Sequence, residues 1–436
     1  MSSLDAALSE VLGTSVSGLR RLTAGASRET WSFDSDGRAL VLRRDPPGVP
    51  RPVEMRREAE CFRACAAAGV PIPALVAVGD GSDAVGTPYL VMERLDGETL
   101  PGRLLRDERW AAVRAGLPRQ FGRVLARIHT LAVPSLELVE DPLARLRAEH
   151  EAFGEPRPAL EVALRWLAEH PPSPVAPAVV HGDFRNGNLL IDDSGLAAVL
   201  DWELAHRGDP REDLGWVCAR AWRFGAAGDV GGFGPREELF AGYAEVAGVE
   251  PDPDDVRWWE VYACVHWAVI CRIQAERHLG GSERSMEMAV LGRRAVEAEY
   301  DALLVLGLVT RELPEVSADP PSGTERPTVD ELLDAITGAL VGEFEPADDR
   351  SRYLARVART GLNVVRRELS LGPELRRRHD ECLSMAGCRD DAELAAGVRD
   401  SSLDPDDEAV AAAVRSSTLS RLAVANPRYV PAAGEH

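Results

Sequence analysis

The sequence predicts an α+β chain. A small antiparallel sheet crossed by one helix comes first, then a mostly helical region, then a small all-α module. Three observations point to this. Between about residues 18 and 95, apolar and polar residues alternate in short runs, "TWSF", "ALVLRR", "ALVAVG" and "PYLVMERL", as half-buried strands do. The stretch "PVEMRREAECFRACAAAG" breaks that rhythm; it opens just after Pro52 and closes on Gly69, as helices tend to. Beyond "MERLDGETL" the apolar spacing becomes helical, over roughly 118–132, 141–152, 158–169, 235–247, 253–278 and 284–309.

At 436 residues the chain exceeds one comfortable hydrophobic core, so two or three domains are expected. Its 45% hydrophobic content is that of a globular protein, not a disordered one. A net charge of −21 weighs against nucleic acid as a partner, because phosphate neutralisation needs basic surface. Every one of the 50 positive charges is Arg; there is no lysine. The 7 cysteines are scattered without a Cys-x-x-Cys pair, so reduced, mostly buried thiols are expected in a cytoplasmic protein, with no disulfide framework or zinc site. "MSSLDAALSEVLG" lacks a signal-peptide pattern, and "VYACVHWAVICRI" is too short to span a bilayer and reads as a buried helix. No membrane association is expected.

One segment is unlike the rest. "VVHGDFRNGNLLIDDSGLAAVLDWE", Val179 to Glu203, sets His181, Asp183, Asn186, Asn188 and Asp201 between short apolar pieces. Buried polar groups stay in a fold only when hydrogen-bonded together or held for a ligand. Asp183 and Asn188 have the D-x-x-x-x-N spacing of a kinase catalytic loop. "NLLI" and "AAVL", joined by the turn "DDSG", form a hairpin that can fold Asp201 back beside them. Phosphoryl transfer needs a carboxylate to orient and deprotonate a hydroxyl, and oxygen ligands for Mg²⁺; an amide and a carboxylate are hard ligands of that kind. Asp183 is then the base, Asn188 and Asp201 the metal ligands, and His181 a brace for the loop. Taken singly, each residue is equally a turn former; the set together points to chemistry.

"HGDFRNGNLL", "VLDWE" and "GDPREDLGW" resemble the aminoglycoside phosphotransferase and choline kinase family, whose fold is similar to that of protein kinases. The resemblance covers about residues 15–310. It implies a two-lobed protein-kinase-like fold: residues 1–95 as a nucleotide-binding lobe, 96–311 as a helical lobe with catalytic loop and substrate pocket. It implies ATP, or GTP in its place, together with Mg²⁺, and the roles for Asp183, Asn188 and Asp201 given above. Asp213 in "GDPREDLG" would brace the catalytic loop; alone it reads equally as a helix N-cap. Glu203 stands where protein kinases have a Gly, as in much of the small-molecule branch. The family's strand Lys has no counterpart here. Arg43 or Arg44 must serve, on opposite faces of the strand, and Arg43 aligns with the family pattern. Its partner would be Glu58, with Glu54 in reserve. Gly25, Ala26 and Ser27 in "LTAGASRETW" could cradle phosphate with backbone N–H groups, an ordinary hairpin being the alternative. Adenine would meet backbone near Glu93 and Leu95 in "VMERLDGE".

The acceptor expected is a small-molecule hydroxyl. "LVLRRDPPG", "VMERLDGE" and "DWELAHRGDPREDLGW" are most similar to the kinase-like domain found with acyl-CoA dehydrogenases, which implies a hydroxyacyl-CoA-type metabolite. Arg272, Arg277, Arg284, Arg293 and Arg294 could then meet CoA phosphates, or simply be solvated helix faces. An aminoglycoside or choline-like acceptor is the alternative, and a catalytically silent kinase-like binding protein is the alternative of another class. Residues 312–327, rich in Pro, Ser and acid, read as a linker. Residues 328–436, with "RPTVDELLDAITGAL" and "RLAVANPRYV", resemble a small helical domain of unknown function, an accessory module through which a homodimer could form.

Overall fold

The computed structural model describes residues 3–22, 28–309, 312–316, 329–342 and 348–430. Gly25, Ala26 and Ser27 lie outside the described residues, as does most of the expected linker.

In chain order the elements begin with α1 (Leu4–Leu12), β1 (Val16–Leu22), β2 (Glu29–Ser35), β3 (Arg38–Arg44), α2 (Pro52–Ala68), β4 (Leu75–Asp80) and β5 (Pro88–Glu93). Helices α3 (Pro101–Arg106), α4 (Ala111–Arg114), α5 (Leu117–Ile128), α6 (Pro142–Glu151) and α7 (Pro158–Glu169) follow. Short strands β6 (Ala178–Val180), β7 (Leu189–Asp192), β8 (Gly195–Val199) and β9 (His206–Gly208) come next. The rest is helical: α8 (Arg211–Cys218), α9 (Arg236–Ala247), α10 (Pro253–Leu279), α11 (Met286–Gly292), α12 (Ala295–Leu306), α13 (Val329–Gly342), α14 (Asp349–Met385), α15 (Asp391–Arg399) and α16 (Glu408–Ala425). No helix among the described residues is long and apolar enough to cross a membrane.

Two compact units divide the chain: residues 1–140 with 173–256, and 141–172 with 257–436. The segment 141–172, which the resemblance places in a helical lobe of residues 96–311, groups here with the C-terminal helices.

In the first unit, β1 to β5 form one antiparallel sheet in the order β1-β2-β3-β5-β4. The β2–β3 hairpin turns at Asp36 and Gly37, both at positive φ (51° and 73°), as a two-residue hairpin turn requires. Its pairing sets Phe33 against Leu40 and Trp31 against Leu42, so Phe33, Leu40 and Leu42 are buried on one face. Helix α2 starts on Pro52 and ends on a left-handed Gly69. It buries Met55, Ala59, Phe62 and Cys65 at helical spacing, with Glu58 as the one acid on that face. Below, Phe121, Leu125 and Ile128 of α5 pack into a core with Phe184, Leu189, Val199, Trp202, Leu214 and Leu239. Helices α5 and α9 come close enough that a Cβ on Gly122 would meet the Leu239 carbonyl and one on Gly242 the Arg119 carbonyl.

The second unit has its own cores. Trp258, Trp259, Tyr262, Val265 and Val269 of α10 pack with Leu160 and Leu164 of α7 and Leu146 of α6. Ala159 and Val162 of α7 and Val296, Tyr300 and Leu303 of α12 share another core with Leu383, Leu394, Val398, Val410, Val414 and Leu422 of the last three helices. A buried polar chain crosses it. Arg272 donates from Nη1 to His150 Nδ1 (3.0 Å), so the His150 proton sits on Nε2, which donates to Glu161 Oε1 (2.9 Å). Arg399 of α15 donates from Nε to Glu161 Oε2 (3.1 Å).

Candidate active site

The site is assembled in the first unit by the segment between β6 and β9. Two large side chains anchor it. Phe184 is fully buried and packs edge-on against Phe121, and Trp202 is buried with its ring 4.7 Å from that of His181. Each points inward, and its chain neighbours Asp183, Arg185, Asp201 and Glu203 keep partial exposure. The local alternation of apolar and polar residues thus turns the acids outward.

The turn before Asp183 needs Gly182, which has φ 78° and whose Cβ, if present, would lie 2.7 Å from the Leu204 carbonyl oxygen. Asp213, in the first turn of α8 and fully buried, holds this turn: its carboxylate accepts from His181 N (2.8 Å) and Gly182 N (3.0 Å). His129 Nε2 also meets it at 3.2 Å. Burial alone would raise the Asp213 pKa, but the hydrogen bond and charge of His129 and the main-chain N–H of His181 hold it below the usual carboxylate range. The helix N-cap is Pro210, so Asp213 sits inside the helix. Both ring nitrogens of His181 are committed to main chain: Nδ1 accepts from Asp183 N (3.1 Å) and Nε2 donates to the Leu200 carbonyl (3.0 Å). That ring is a brace tying the Asp183 turn to the strand end before Asp201.

Three donors orient the Asp183 carboxylate. Arg185 Nε (2.8 Å) and Trp216 Nε1 (3.0 Å) donate to Oδ1, and Asn188 Nδ2 donates to Oδ2 (2.6 Å) and to the Asp183 carbonyl (3.0 Å). With its amide hydrogens so committed, Asn188 keeps its amide oxygen as the acceptor end. The Arg185 guanidinium lies over the Trp222 ring, 4.5 Å from its centroid, and Asn186 ties the loop to the carbonyls of Trp222 (3.2 Å) and Gly231 (2.5 Å). Strands β7 and β8 pair Leu189 with Val199, and Leu200 N donates to the Asn188 carbonyl (2.8 Å), which returns the chain to the loop just before Asp201. Asp201 itself has φ 63°, a left-handed conformation that costs a non-glycine residue about 1 kcal/mol or more.

Arg43 and Arg44 leave β3 on opposite faces. Arg44 donates from Nε to Glu29 (2.8 Å) on the Trp31 side. Arg43 donates from Nη1 to Glu58 Oε1 (2.7 Å), and its Nη2 binds Asp201 and reaches Glu203 at 3.5 Å. Burial opposes the Arg43 charge, but Glu58, Asp201 and Glu203 raise its pKa above the ordinary arginine value. Glu58 has a second cation, the buried Arg28, which also meets Asp45 at 3.2 Å. Glu54 is exposed. At the end of β5, Glu93 N donates to the Ala74 carbonyl (2.9 Å) and Arg94 N to the Ala39 carbonyl (2.9 Å), so the main chain leaves the sheet at Leu95.

The structure therefore gathers Asp183 with Asn188, and Arg43 with Glu58 and Asp201. Arg28, Arg185, Trp216 and the engagement of Glu203 were missed from sequence. Arg185 alone left a signal, being two residues from Asp183 and hence on its side of the alternation. The helix arginines considered for CoA are tied up within the second unit: Arg272 stacks on Phe153 (4.0 Å) and meets Glu155 (3.2 Å), Arg277 meets Glu283 (2.5 Å), Arg293 meets Glu368 (2.5 Å) and Arg294 meets Glu297 (3.0 Å). Arg284 is exposed.

A family model described as "phosphotransferase enzyme family" matches residues 18–259, and one for a domain of unknown function matches residues 345–429. Acyl-CoA dehydrogenase family member 10 of Mus musculus is 32% identical over 237 residues, which is 49% of this chain and 22% of that protein. Acyl-CoA dehydrogenase family member 11 of Gallus gallus is 29% identical over 218 residues, 46% of this chain and 27% of that protein. The chain thus matches about a quarter of the length of these relatives. A crystal structure from Ralstonia eutropha, provisionally described as an aminoglycoside phosphotransferase, superposes with a TM-score of 0.55 at 22% identity, over 66% of this chain and 92% of that one. The shared fold is kinase-like, with an antiparallel sheet lobe and a helical lobe.

Proposed function

The chain belongs to the phosphotransferase enzyme family, and from that premise we propose that it transfers the terminal phosphoryl group of ATP, or of GTP, to a hydroxyl of a small molecule. The observation that carries this is the Asp183 carboxylate, aimed by three N–H donors and braced through His181 and Asp213. A carboxylate so oriented accepts the proton of an incoming hydroxyl as the oxygen attacks phosphorus, and the nucleoside diphosphate leaves on the opposite side.

A divalent metal fits the donors present, since the Asn188 amide oxygen and the Asp201 carboxylate are hard ligands. Bound there, Mg²⁺ supplies charge neutralisation for the phosphates. Arg43, backed by Glu58, grips phosphate oxygens through its forked guanidinium. Arg185, fixed between Asp183 and Trp222, adds positive charge beside the transferring group. The Glu93 carbonyl and the Leu95 N–H receive the nucleobase.

For the acceptor, a hydroxyacyl thioester is favoured among small-molecule alcohols. The relatives named for acyl-CoA dehydrogenases support it, and so do the Arg and Trp side chains around Asp183, which suit an anionic acceptor better than a polycationic aminoglycoside or a choline-like one. Replacing Asp183 by Asn is the decisive experiment. Phosphoryl transfer, followed as a mass gain of phosphate over a panel of hydroxyacyl thioesters, aminoglycosides and amino alcohols, should fall at least about a hundredfold while ATP still binds. Equal ATP consumption by the two proteins across that panel would leave a silent nucleotide-binding fold as the better reading.

A further inference from the structure

Three carboxylates converge on one guanidinium at the site. Glu58, Asp201 and Glu203 all meet Arg43, through two different Nη atoms. A lysine ammonium is a single point of charge; the guanidinium spans, so it can bind Glu58 with one end and Asp201 with the other. Asp201 and Glu203 are two residues apart and both meet it. Glu58 differs, because it is neutralised twice: Arg28 holds its other oxygen, and that pair is almost wholly buried. Arg43 can therefore leave without orphaning a buried charge on α2.

We propose that Arg43 is the resident counter-ion of the metal pocket, occupying Asp201 until a divalent ion displaces it. This rests on the phosphotransferase reading and adds an order of events to it. Arg43 and the metal compete for Asp201, so the metal alone binds poorly. Nucleotide alone also binds poorly, because drawing Arg43 onto phosphate takes from Asp201 the cation it meets. Together the two ligands exchange partners: Asp201 goes to the metal and the released guanidinium goes to the phosphates. Metal and nucleotide binding are thus positively coupled, and Arg43 carries the coupling.

The test is Mn²⁺ binding to the nucleotide-free full chain, read by paramagnetic resonance of free Mn²⁺, and ATP binding by calorimetry with and without Mn²⁺. In Arg43→Met, nucleotide-free Mn²⁺ affinity should rise about tenfold or more, while ATP affinity in the presence of Mn²⁺ falls. Arg43→Gln, which keeps a similar length, serves should the Met variant fail to fold, and the same rise is expected. A purely structural or purely phosphate-binding arginine gives no gain in Mn²⁺ affinity. Unchanged or weaker Mn²⁺ binding in the folded variants overturns the proposal, with the phosphotransferase reading intact so long as wild type binds ATP with Mn²⁺. Failure of wild type to bind ATP with Mn²⁺ at all overturns both.

Discussion

Asp213 offers a quantitative handle on the catalytic turn. Replacing it by Ala removes the acceptor of two buried N–H groups, those of His181 and Gly182, and the partner of His129. An orphaned buried donor costs about 1–3 kcal/mol, so the two amides together should cost about 2–6 kcal/mol. Since 1.4 kcal/mol is a factor of ten, exchange of each amide should accelerate roughly tenfold to a hundredfold. Hydrogen–deuterium exchange of the peptide spanning residues 179–184 reads this directly, with α9 as the internal control. The wild-type carboxyl is held below its ordinary pKa, so its contribution is present at neutral pH and is lost only as pH falls through that depressed value. Acceleration in the variant should accordingly be seen at pH 7. Phosphoryl transfer should drop at least about tenfold, because Asp183 hangs on the same turn. Unchanged exchange at 179–184, in a variant that remains folded, would refute the assignment of Asp213 as the brace.

Three further outcomes are expected. Gly182→Ala places a Cβ against the Leu204 carbonyl at positive φ and should destabilise the first unit by about 2–4 kcal/mol, seen as a lower urea midpoint by tryptophan fluorescence. His206, at the end of the β6–β9 pair, has its pKa pushed up to about 9: burial opposes the charge, and Glu212 at 3.1 Å and the Leu204 carbonyl more than offset it. Because the folded value lies above the unfolded one near 6.5, this pair stabilises fully below about pH 6.5 and is lost as pH rises to about 9, by up to roughly 3 kcal/mol. His206→Gln should flatten that decline, and equal declines in the two proteins would count against it. In the second unit, Glu161→Ala strips the buried His150 and the α15 residue Arg399 of their shared acceptor and should cost about 3 kcal/mol in a denaturant titration.

Much of the first unit was legible because its signals are local. Strand alternation and the Pro52 and Gly69 helix limits each depend on a few neighbouring residues. The spacing from Asp183 to Asn188 and the hairpin that returns the chain toward Asp201 are local too. What escaped is non-local. Arg28 meets Glu58 across 30 residues, Trp216 meets Asp183 across 33, and Arg43 meets Glu203 across 160; no periodicity encodes such pairs. The packing of 141–172 with the C-terminal helices escaped for the same reason. Composition marks 312–327 as a connector, whereas membership in a core is decided by which apolar faces meet.

That shared core has a consequence for inheritance. Ala159 and Val162 fall inside the stretch that matches the phosphotransferase family, and Leu394, Val398, Val410 and Leu422 inside the stretch that matches the uncharacterised domain. Tyr300 and Leu303, between the two, belong to neither. Stretches matching two different families thus meet in one oily seam. A descendant that shed its final hundred or so residues would bare the flank of α7 to water and have to repaint it with polar side chains, so the tail is better seen as a graft that has taken than as a detachable cassette.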